Sequence, residues 1–219
     1  MERIVDLSHV IEHEMVTYPG LPGPQISDHL SREASRAVYA PGTEFQIGRL
    51  DMVANTGTYL DTPSHRYPSG FDLAELPIEH VANVPGICVT CSEQAVGVGV
   101  LDGLDLHGHA VLFATGWDHH WRTTQYGAPE HPFLTTDVAE ALVAAGVVVA
   151  GIDSVNIDDT RTNARPIHSM LLDAGILIVE HMTNLAQLAQ RQFRFFAVPP
   201  KVRGMGTFPV RAFAITDDV

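Results

Sequence analysis

Short apolar segments separated by glycine, proline and small polar residues run along most of this chain, and they constrain its fold more than any other feature. Apolar runs of about four to eight residues between turn signals are typical of strands. Strands are predicted over residues 2–10, 44–54, 86–91, 109–114, 147–152, 176–180, 193–198 and 208–215. In 44–54 apolar residues occupy both parities, which predicts a strand covered on both sides.

Two helices are predicted between these strands. Thr135 or Thr136 is a good N-cap, and an i, i+3, i+4, i+7 apolar stripe follows it and ends at Gly146. This helix leads directly into the strand 147–152. A shorter helix is predicted over 166–174, because proline is favoured at a helix start and Gly175 follows its end. Strands outnumber helices, with at least one strand–helix–strand crossover, so the pattern predicts a mixed α/β fold.

The chain is predicted to form one domain over residues 1–219. It contains no internal repeat, no low-complexity tract and no long linker of serine, glycine and proline. Its 45% hydrophobic and 18% charged residues exclude an intrinsically disordered protein, which needs low hydrophobicity and dense charge.

The charge of the chain limits its partners. Acidic residues outnumber basic residues by 26 to 13, so the net charge is −13. A field of that sign repels phosphate groups, and neither nucleic acid nor a membrane surface is expected as a partner. The first residues lack the apolar core of a secretion signal, and no apolar run approaches the roughly 18 residues that cross a bilayer. A cytoplasmic location is therefore expected.

The two cysteines, Cys88 and Cys91, have the CxxC spacing of redox pairs and zinc sites. They lie in the predicted strand 86–91, where an offset of three residues points two side chains to opposite faces. We predict two buried thiols rather than a functional pair.

The densest polar cluster, residues 55–65, follows directly on an apolar strand, where active-site loops are often built. If the chain stays extended here, Asn55, Tyr59 and Asp61 share one parity and project to the same side. Two interpretations stay open on the residues alone. The cluster is either a site for a substrate or an ion, or a strand end whose polar groups satisfy a turn.

This cluster resembles the signature of the cyclase family, which includes bacterial kynurenine formamidase and isatin hydrolase and has the pattern His-x-Gly-Thr-His-x-Asp-x-Pro-x-His. Gly57, Thr58, Asp61, Pro63 and His65 match it in register. Further segments resemble the family along nearly the whole chain. They are Asp6-Leu7-Ser8, Tyr18-Pro19-Gly20, Thr115-Gly116-Trp117, Asp153-Ser154, residues 168–180 and Asn184-Leu185.

The resemblance implies the family's swivelling β/β/α fold with a mixed sheet, and a homodimer or dimer-based oligomer. It also implies a site with two divalent metals. Asp61, His168 and Glu180 match three metal ligands, and His65 matches the group that transfers protons. For Glu180 the residues give independent support, because a carboxylate after an apolar run is costly unless it is paired or coordinated.

The chain departs from the family at two ligand positions, where Asn55 and Tyr59 stand in place of histidines. An amide and a phenol lack the nitrogen donors that zinc prefers. We therefore predict a single divalent ion at Asp61, His168 and Glu180, either Zn²⁺ or Mn²⁺, with Mg²⁺ also tolerated by such an oxygen-rich site. Tyr59 is either a catalytic donor to the developing oxyanion or a filler of the vacated metal position.

Substrate-binding residues are predicted around an aromatic ligand. Tyr18 and Trp117 are candidates for stacking on a flat substrate, with Asn55 as a polar contact. In the run 117–133, His119 or His120 is a candidate replacement ligand, although the alternative is a loop that packs its tryptophans on the core. Three arginines are candidates for a substrate carboxylate, with a surface role as the alternative: Arg66, Arg161 and Arg165.

The predicted function is metal-dependent hydrolysis of a small, aromatic amide or cyclic amide, as in arylformamidases. Three alternatives remain open on the sequence. They are other chemistry on the same site, namely lactone hydrolysis, lyase or cyclase activity; a non-catalytic small-molecule-binding protein; and a purely structural subunit.

Overall fold

The computed structural model describes residues 2–216, which form thirteen strands and three α-helices. Met1 and Asp217–Val219, which the predicted domain 1–219 includes, lie outside the described residues. The helices are α1 (Arg32–Ser35), α2 (Thr136–Ala145) and α3 (Pro166–Asp173). The strands are β1 (Arg3–Asp6), β2 (Gln25–Leu30), β3 (Ile47–Asp51), β4 (Tyr59–Asp61), β5 (Val84–Thr90), β6 (Ala95–Val96), β7 (Ala110–Ala114), β8 (Phe133–Leu134), β9 (Val149–Ile152), β10 (Leu177–Glu180), β11 (Phe193–Phe196), β12 (Thr207–Pro209) and β13 (Phe213–Thr216).

Nine strands form one mixed sheet in the order β1-β13-β11-β5-β7-β9-β10-β4-β12. The central strands β5, β7, β9 and β10 are parallel, and the flanking pairs are antiparallel. Because α2 connects β8 to β9 and α3 connects β9 to β10, the α/β class and both predicted helices are confirmed. The N-cap Thr135 and the left-handed C-cap Gly146 lie at the predicted ends of α2.

The sheet curls so that its two edges approach each other. The predicted strand 208–215 is in fact two strands, β12 at one edge and β13 near the other. The three residues between them cross the gap, since Val210 N–H donates to Thr58 O and Leu7 N–H donates to Ala212 O, both at 2.9 Å. The apolar segment 208–215 therefore contributes to strands near both edges of the sheet. Its hydrophobic pattern does not predict this division.

Alternating side chains of the sheet enter two apolar clusters. Along β7, Leu112 packs inside the curl, while Val111 and Phe113 face α2 and α3. Cys88 and Cys91 follow the same rule, since they contact opposite clusters. Cys91 is buried, as predicted, whereas Cys88 is only partly buried. Desolvation raises the pKa of both thiols to about 12.

The prediction for 44–54 is wrong about burial. β3 pairs only with β2, in a separate two-stranded hairpin, and all five of its residues are exposed. We call residues 25–51, which contain β2, α1 and β3, the hairpin arm. The predicted strand 2–10 is also shorter, because after Asp6 the chain leaves β13 and makes an isolated bridge from Ser8 to Met182.

None of the helices formed by residues 2–216 combines the length and the apolarity that a bilayer crossing requires. The cytoplasmic location stays a prediction.

Candidate metal centre

Asp61, His168 and Glu180 meet at the end of β10. Glu180 ends this strand and Asp61 ends its antiparallel neighbour β4, with Tyr59 directly opposite Glu180. Residues opposite each other in an antiparallel pair share a face, so Tyr59 and Glu180 point to the same side of the sheet. Asp61 lies two residues after Tyr59 on the same strand and therefore also points to that side, which α3 covers. His168 reaches them from the first turn of α3, which Pro166 opens. One ligand atom from each of the three residues lies within 4.8 Å of the others.

The donor set fits a divalent cation. His168 Nε2 lies 3.7 Å from Asp61 Oδ2 and 3.7 Å from Glu180 Oε1, too far for hydrogen bonds. Asp61 Oδ2 is buried and accepts no hydrogen bond from any residue between 2 and 216. A buried carboxylate oxygen without a partner is costly, and coordination to a cation removes that cost. One imidazole and two carboxylates suit Zn²⁺ or Mn²⁺.

The charges of the centre confirm that its groups are strongly coupled. Burial raises the pKa of Glu180 to about 7, and His168 opposes this shift. Burial by itself lowers the pKa of His168, but Glu180, Asp158 and Asp61 outweigh it and raise the value to about 10. In the absence of a cation, His168 is protonated, because Asp61 and Glu180 stabilise the positive charge of its imidazolium.

Asp158 fixes the orientation of His168. Its Oδ2 accepts a hydrogen bond from His168 Nδ1 at 2.6 Å, and its oxygens also accept from the backbone N–H groups of Ile167 and His168. With Nδ1 protonated and engaged, Nε2 is the nitrogen that faces Asp61 and Glu180. A carboxylate behind a ligating imidazole holds the tautomer and the ring direction that coordination needs.

Thr207 links Asp61 to His65. The Thr207 hydroxyl donates to Asp61 Oδ1, and its oxygen lies 2.7 Å from His65 Nδ1. Because the Thr207 O–H is already donating to Asp61, the Thr207 oxygen accepts from His65 Nδ1–H, which leaves Nε2 as the unprotonated nitrogen of a neutral imidazole. His65 stands at the end of a single 3₁₀ turn, Pro63–His65, that follows β4.

Tyr59 and Asn55 lie beside the centre, although the chain is extended only from Tyr59 to Asp61 and not between residues 55 and 59. Gly57 adopts the left-handed conformation with φ of 66°, so the chain turns between residues 55 and 59. Tyr59 is fully buried and its phenol donates to Glu180 Oε2 at 2.5 Å. Burial raises the pKa of Tyr59 well above its ordinary value, with Glu180 and Asp61 adding to the shift, so the phenol is neutral.

A cavity of about 290 Å³ opens onto the centre. Tyr18, predicted to contact substrate, lines this cavity together with His65. The complete lining is Tyr18, Leu21, Asn55, Tyr59, His65, Arg66, Asn156, Arg165, His168 and Glu180.

Trp117 does not line the cavity, which corrects its prediction as a substrate contact. Its indole N–H donates to Tyr126 O at 2.9 Å, and its ring packs edge-on against His120. His119 and His120 lie in the same 3₁₀ turn and are outside the ligand group, so neither replaces a missing ligand. Trp117 and Trp121 are partly buried and pack edge-on against two neighbouring rings of the same segment, His120 and Tyr126.

Three polar site residues are not predicted from the sequence: Asn156, Asp158 and Thr207. The first two belong to the polar run Asp153–Asp159 directly after β9, and this position at the carboxyl end of a parallel strand was the available signal. Thr207 gave no signal, because only the pairing of β12 with β4 places it opposite Asp61.

The fold and the site together define a class: an α/β protein in which a curled mixed sheet carries a buried centre of one imidazole and two carboxylates. The chain belongs to the cyclase family. The family model described as "Putative cyclase" matches residues 5–159.

Similar proteins cover nearly the whole chain. The kynurenine formamidase of Bacillus cereus is 25% identical over 213 residues, or 95% of each chain. That of Geobacillus thermodenitrificans is 26% identical over 216 residues, or 97% of each chain. Among solved structures, isatin hydrolase A from Labrenzia aggregata, bound to benzyl benzoate, superposes with a TM-score of 0.84 and 21% identity, covering 99% of this chain and 94% of that one. This last likeness concerns the fold.

Proposed function

We propose that the protein is a metal-dependent hydrolase of a small aromatic amide or cyclic amide. The observation that carries this proposal is the convergence of Asp61, His168 and Glu180. His168 and Glu180 line an open cavity together with His65. The names of the similar proteins support it, since one is a kynurenine formamidase and the other an isatin hydrolase.

Asp61, His168 and Glu180 would hold the cation, which we propose to be a single Zn²⁺ or Mn²⁺ per chain. When bound, it supplies the Lewis acidity that polarises a carbonyl and acidifies water. Tyr59 replaces a nitrogen donor with a neutral phenol that is already donating to Glu180. This contact favours its role as a filler that orients Glu180 over a role as oxyanion donor, because the proton needed by the oxyanion is engaged.

His65 moves the proton. Its Nδ1–H is held by Thr207, so Nε2 accepts a proton from the attacking water and returns it to the leaving nitrogen. The ring is more than one-third exposed on the cavity side, which leaves room for a substrate between His65 and the metal ligands. Tyr18 and Asn55 are the proposed substrate contacts, with Tyr18 stacking on the aromatic ring.

Profiling separates this activity from its alternatives. Protein loaded with Mn²⁺ or Zn²⁺ is assayed with N-formylaniline, isatin and an aromatic lactone, and metal content is measured in parallel. Hydrolysis of the amide or the cyclic amide, lost on chelation and restored by metal, is the expected result. If only the lactone is hydrolysed, the proposed amide hydrolase activity is wrong and the protein is a lactone hydrolase. Binding without turnover of any of the three would favour a non-catalytic role, and two tightly held ions per chain would contradict the single-ion site.

We further propose that the chain forms a homodimer through the hairpin arm. The arm exposes several large apolar side chains, namely Ile26, Val38, Tyr39, Phe45, Ile47 and Leu50. A two-stranded hairpin is marginally stable in water unless another surface covers it, and a second copy of the chain supplies such a surface.

A further inference from the structure

Two arginines stand at the mouth of the cavity. Arg66 directly follows His65, and Arg165 directly precedes α3, the helix that carries His168. Within residues 2–216 neither guanidinium forms an ion pair with a carboxylate. Five other arginines do form such pairs: Arg36, Arg122, Arg161, Arg194 and Arg211.

Both guanidinium groups are held from one side only. Arg66 Nε lies 3.3 Å from Ser169 Oγ, to which it donates. Arg165 Nη1 donates to the carbonyls of Thr162 and Ala164 at 2.8 and 2.7 Å. A guanidinium carries five N–H donors, so each keeps several donors for a ligand. Anchoring by neutral groups reduces the conformational entropy lost on binding and leaves the positive charge uncompensated.

This arrangement points to the charge of the substrate. The protein carries a net charge of −13, which repels an anion approaching from solvent. Two uncompensated guanidinium groups beside the catalytic groups offset that repulsion locally. Carboxylates are the anions that this planar fork binds through paired hydrogen bonds.

We propose that the substrate is an aromatic amide bearing a carboxylate, and that Arg66 and Arg165 bind this carboxylate and set specificity. The proposal rests on the proposed function for the reacting bond. The neutral amides of Asn55 and Asn156, which line the same cavity, are left to contact the uncharged part of the substrate.

A binding experiment tests the proposal without requiring turnover. The metal-loaded protein is titrated with the fluorescent acid 2-aminobenzoate and with its neutral counterpart 2-aminobenzamide. The wild type is expected to prefer the acid by at least about tenfold. Arg66→Gln and Arg165→Gln are each expected to lower the affinity for 2-aminobenzoate about tenfold, which is the scale of one charge-assisted hydrogen bond. The affinity for 2-aminobenzamide should stay unchanged. Both side chains lie at the surface, and equal melting temperatures will show that the variants fold.

Arg161→Gln is the matched control, because it removes the same charge from the same loop as Arg165 but outside the cavity. It should change neither affinity. Equal affinity of the wild type for both probes would overturn the proposal. The proposal would also be overturned if Arg66→Gln and Arg165→Gln both kept the wild-type affinity for 2-aminobenzoate. That result would indicate that the carboxylate binds the metal instead.

Kinetics separate this proposal from the hydrolase proposal. With N-formyl-2-aminobenzoate the two cavity variants should raise KM about tenfold at nearly constant kcat, and this rise in KM should be several times larger than the rise with N-formylaniline. If the wild type hydrolyses neither formamide, the hydrolase proposal fails, while the fluorescence titration still decides whether the arginines recognise a carboxylate.

Discussion

At the scale of single residues, hydrogen bonds from neighbouring side chains fix the orientation of the groups in the centre. Asp158 holds the His168 imidazole, Thr207 holds that of His65, and the Tyr59 phenol holds Glu180. These partners keep His168, His65 and Glu180 in one geometry, and such preorganisation would lower the cost of binding a cation and a substrate at the proposed site.

Removing one ligand tests the metal centre directly. Saturating Mn²⁺ or Zn²⁺ should stabilise the wild type by about 2.7 kcal/mol at one hundred times Kd, or roughly 5–10 °C in Tm for a chain of this size. Asp61→Asn should abolish this rise and lower hydrolysis at least about a hundredfold. Calorimetry with and without metal measures the first effect.

Asp159→Asn is the control, since Asp159 is a surface carboxylate paired with Arg161. It should keep the full metal response. A metal-dependent rise in Tm that survives in Asp61→Asn would contradict the assigned centre.

Thr207→Val tests the link between Asp61 and His65. Valine has the shape of threonine without the hydroxyl, so both hydrogen bonds are lost, and an activity loss of about 10–100-fold is expected. Thr207→Ser keeps the hydroxyl and should recover most of the activity. If serine and valine lower kcat equally, packing rather than the hydrogen bonds is the contribution of Thr207.

At the scale of elements, the site depends on how closely the segments around β4 and β12 approach. A Cβ atom on Gly206 would lie 2.3 Å from His65 N and 2.6 Å from His65 Cα, and both of these are backbone atoms. The turn that contains His65 can therefore pack this closely against the residue that precedes β12 only because residue 206 is a glycine and has no side chain.

Gly206→Ala should displace His65 and lower kcat while metal binding persists. Gly99→Ala is the matched control, because its added methyl group meets no atom within 4 Å. Steady-state kinetics and metal titration of both variants measure the two effects. Wild-type kcat in Gly206→Ala would show that the turn relaxes without moving the imidazole.

The hairpin arm gives a second prediction at this scale. Ile26 and Leu50 are cross-strand partners on β2 and β3, and both are about half exposed. The double change Ile26→Asp and Leu50→Asp should convert the proposed dimer into monomers in light scattering after size-exclusion chromatography. Ile78→Asp, at an exposed isoleucine outside the arm, should leave the mass unchanged. A wild-type mass equal to one chain would refute the dimer.

At the scale of the whole molecule, the sheet separates two apolar clusters. Cys91 is buried in one of them, and Cys88 packs, partly buried, against the other. The raised pKa of Cys88 and Cys91 means that the folded state keeps its thiol protons to higher pH than the unfolded chain. Stability should therefore fall as pH rises above the ordinary thiol value near 9.

Native protein should react negligibly with Ellman's reagent at pH 8, and unfolding in guanidinium should release two thiols per chain. The variant with Cys88→Ala and Cys91→Ala should lose stability less steeply between pH 8.5 and 10 in denaturant titrations. Rapid labelling of either thiol in the native state would contradict its burial.

Local sequence patterns are sufficient to predict the fold class, both longer helices, the opposite orientation of the cysteines and the resemblance to the cyclase family. These properties follow from periodicity and local spacing, which each segment carries within itself. The three predicted ligands rested on the family pattern, and their meeting became visible only in three dimensions.

Tertiary structure alone decided the exposure of β3, the division of 208–215 between two sheet edges and the displacement of Trp117 from the cavity. It also decided that Thr207 lies opposite Asp61, and that Arg66 and Arg165 lie at one cavity mouth. These facts depend on strand register and on the curl of the sheet, which join residues distant in the chain. No local pattern records such pairings, because their free energy comes from contacts that exist only after the sheet has closed.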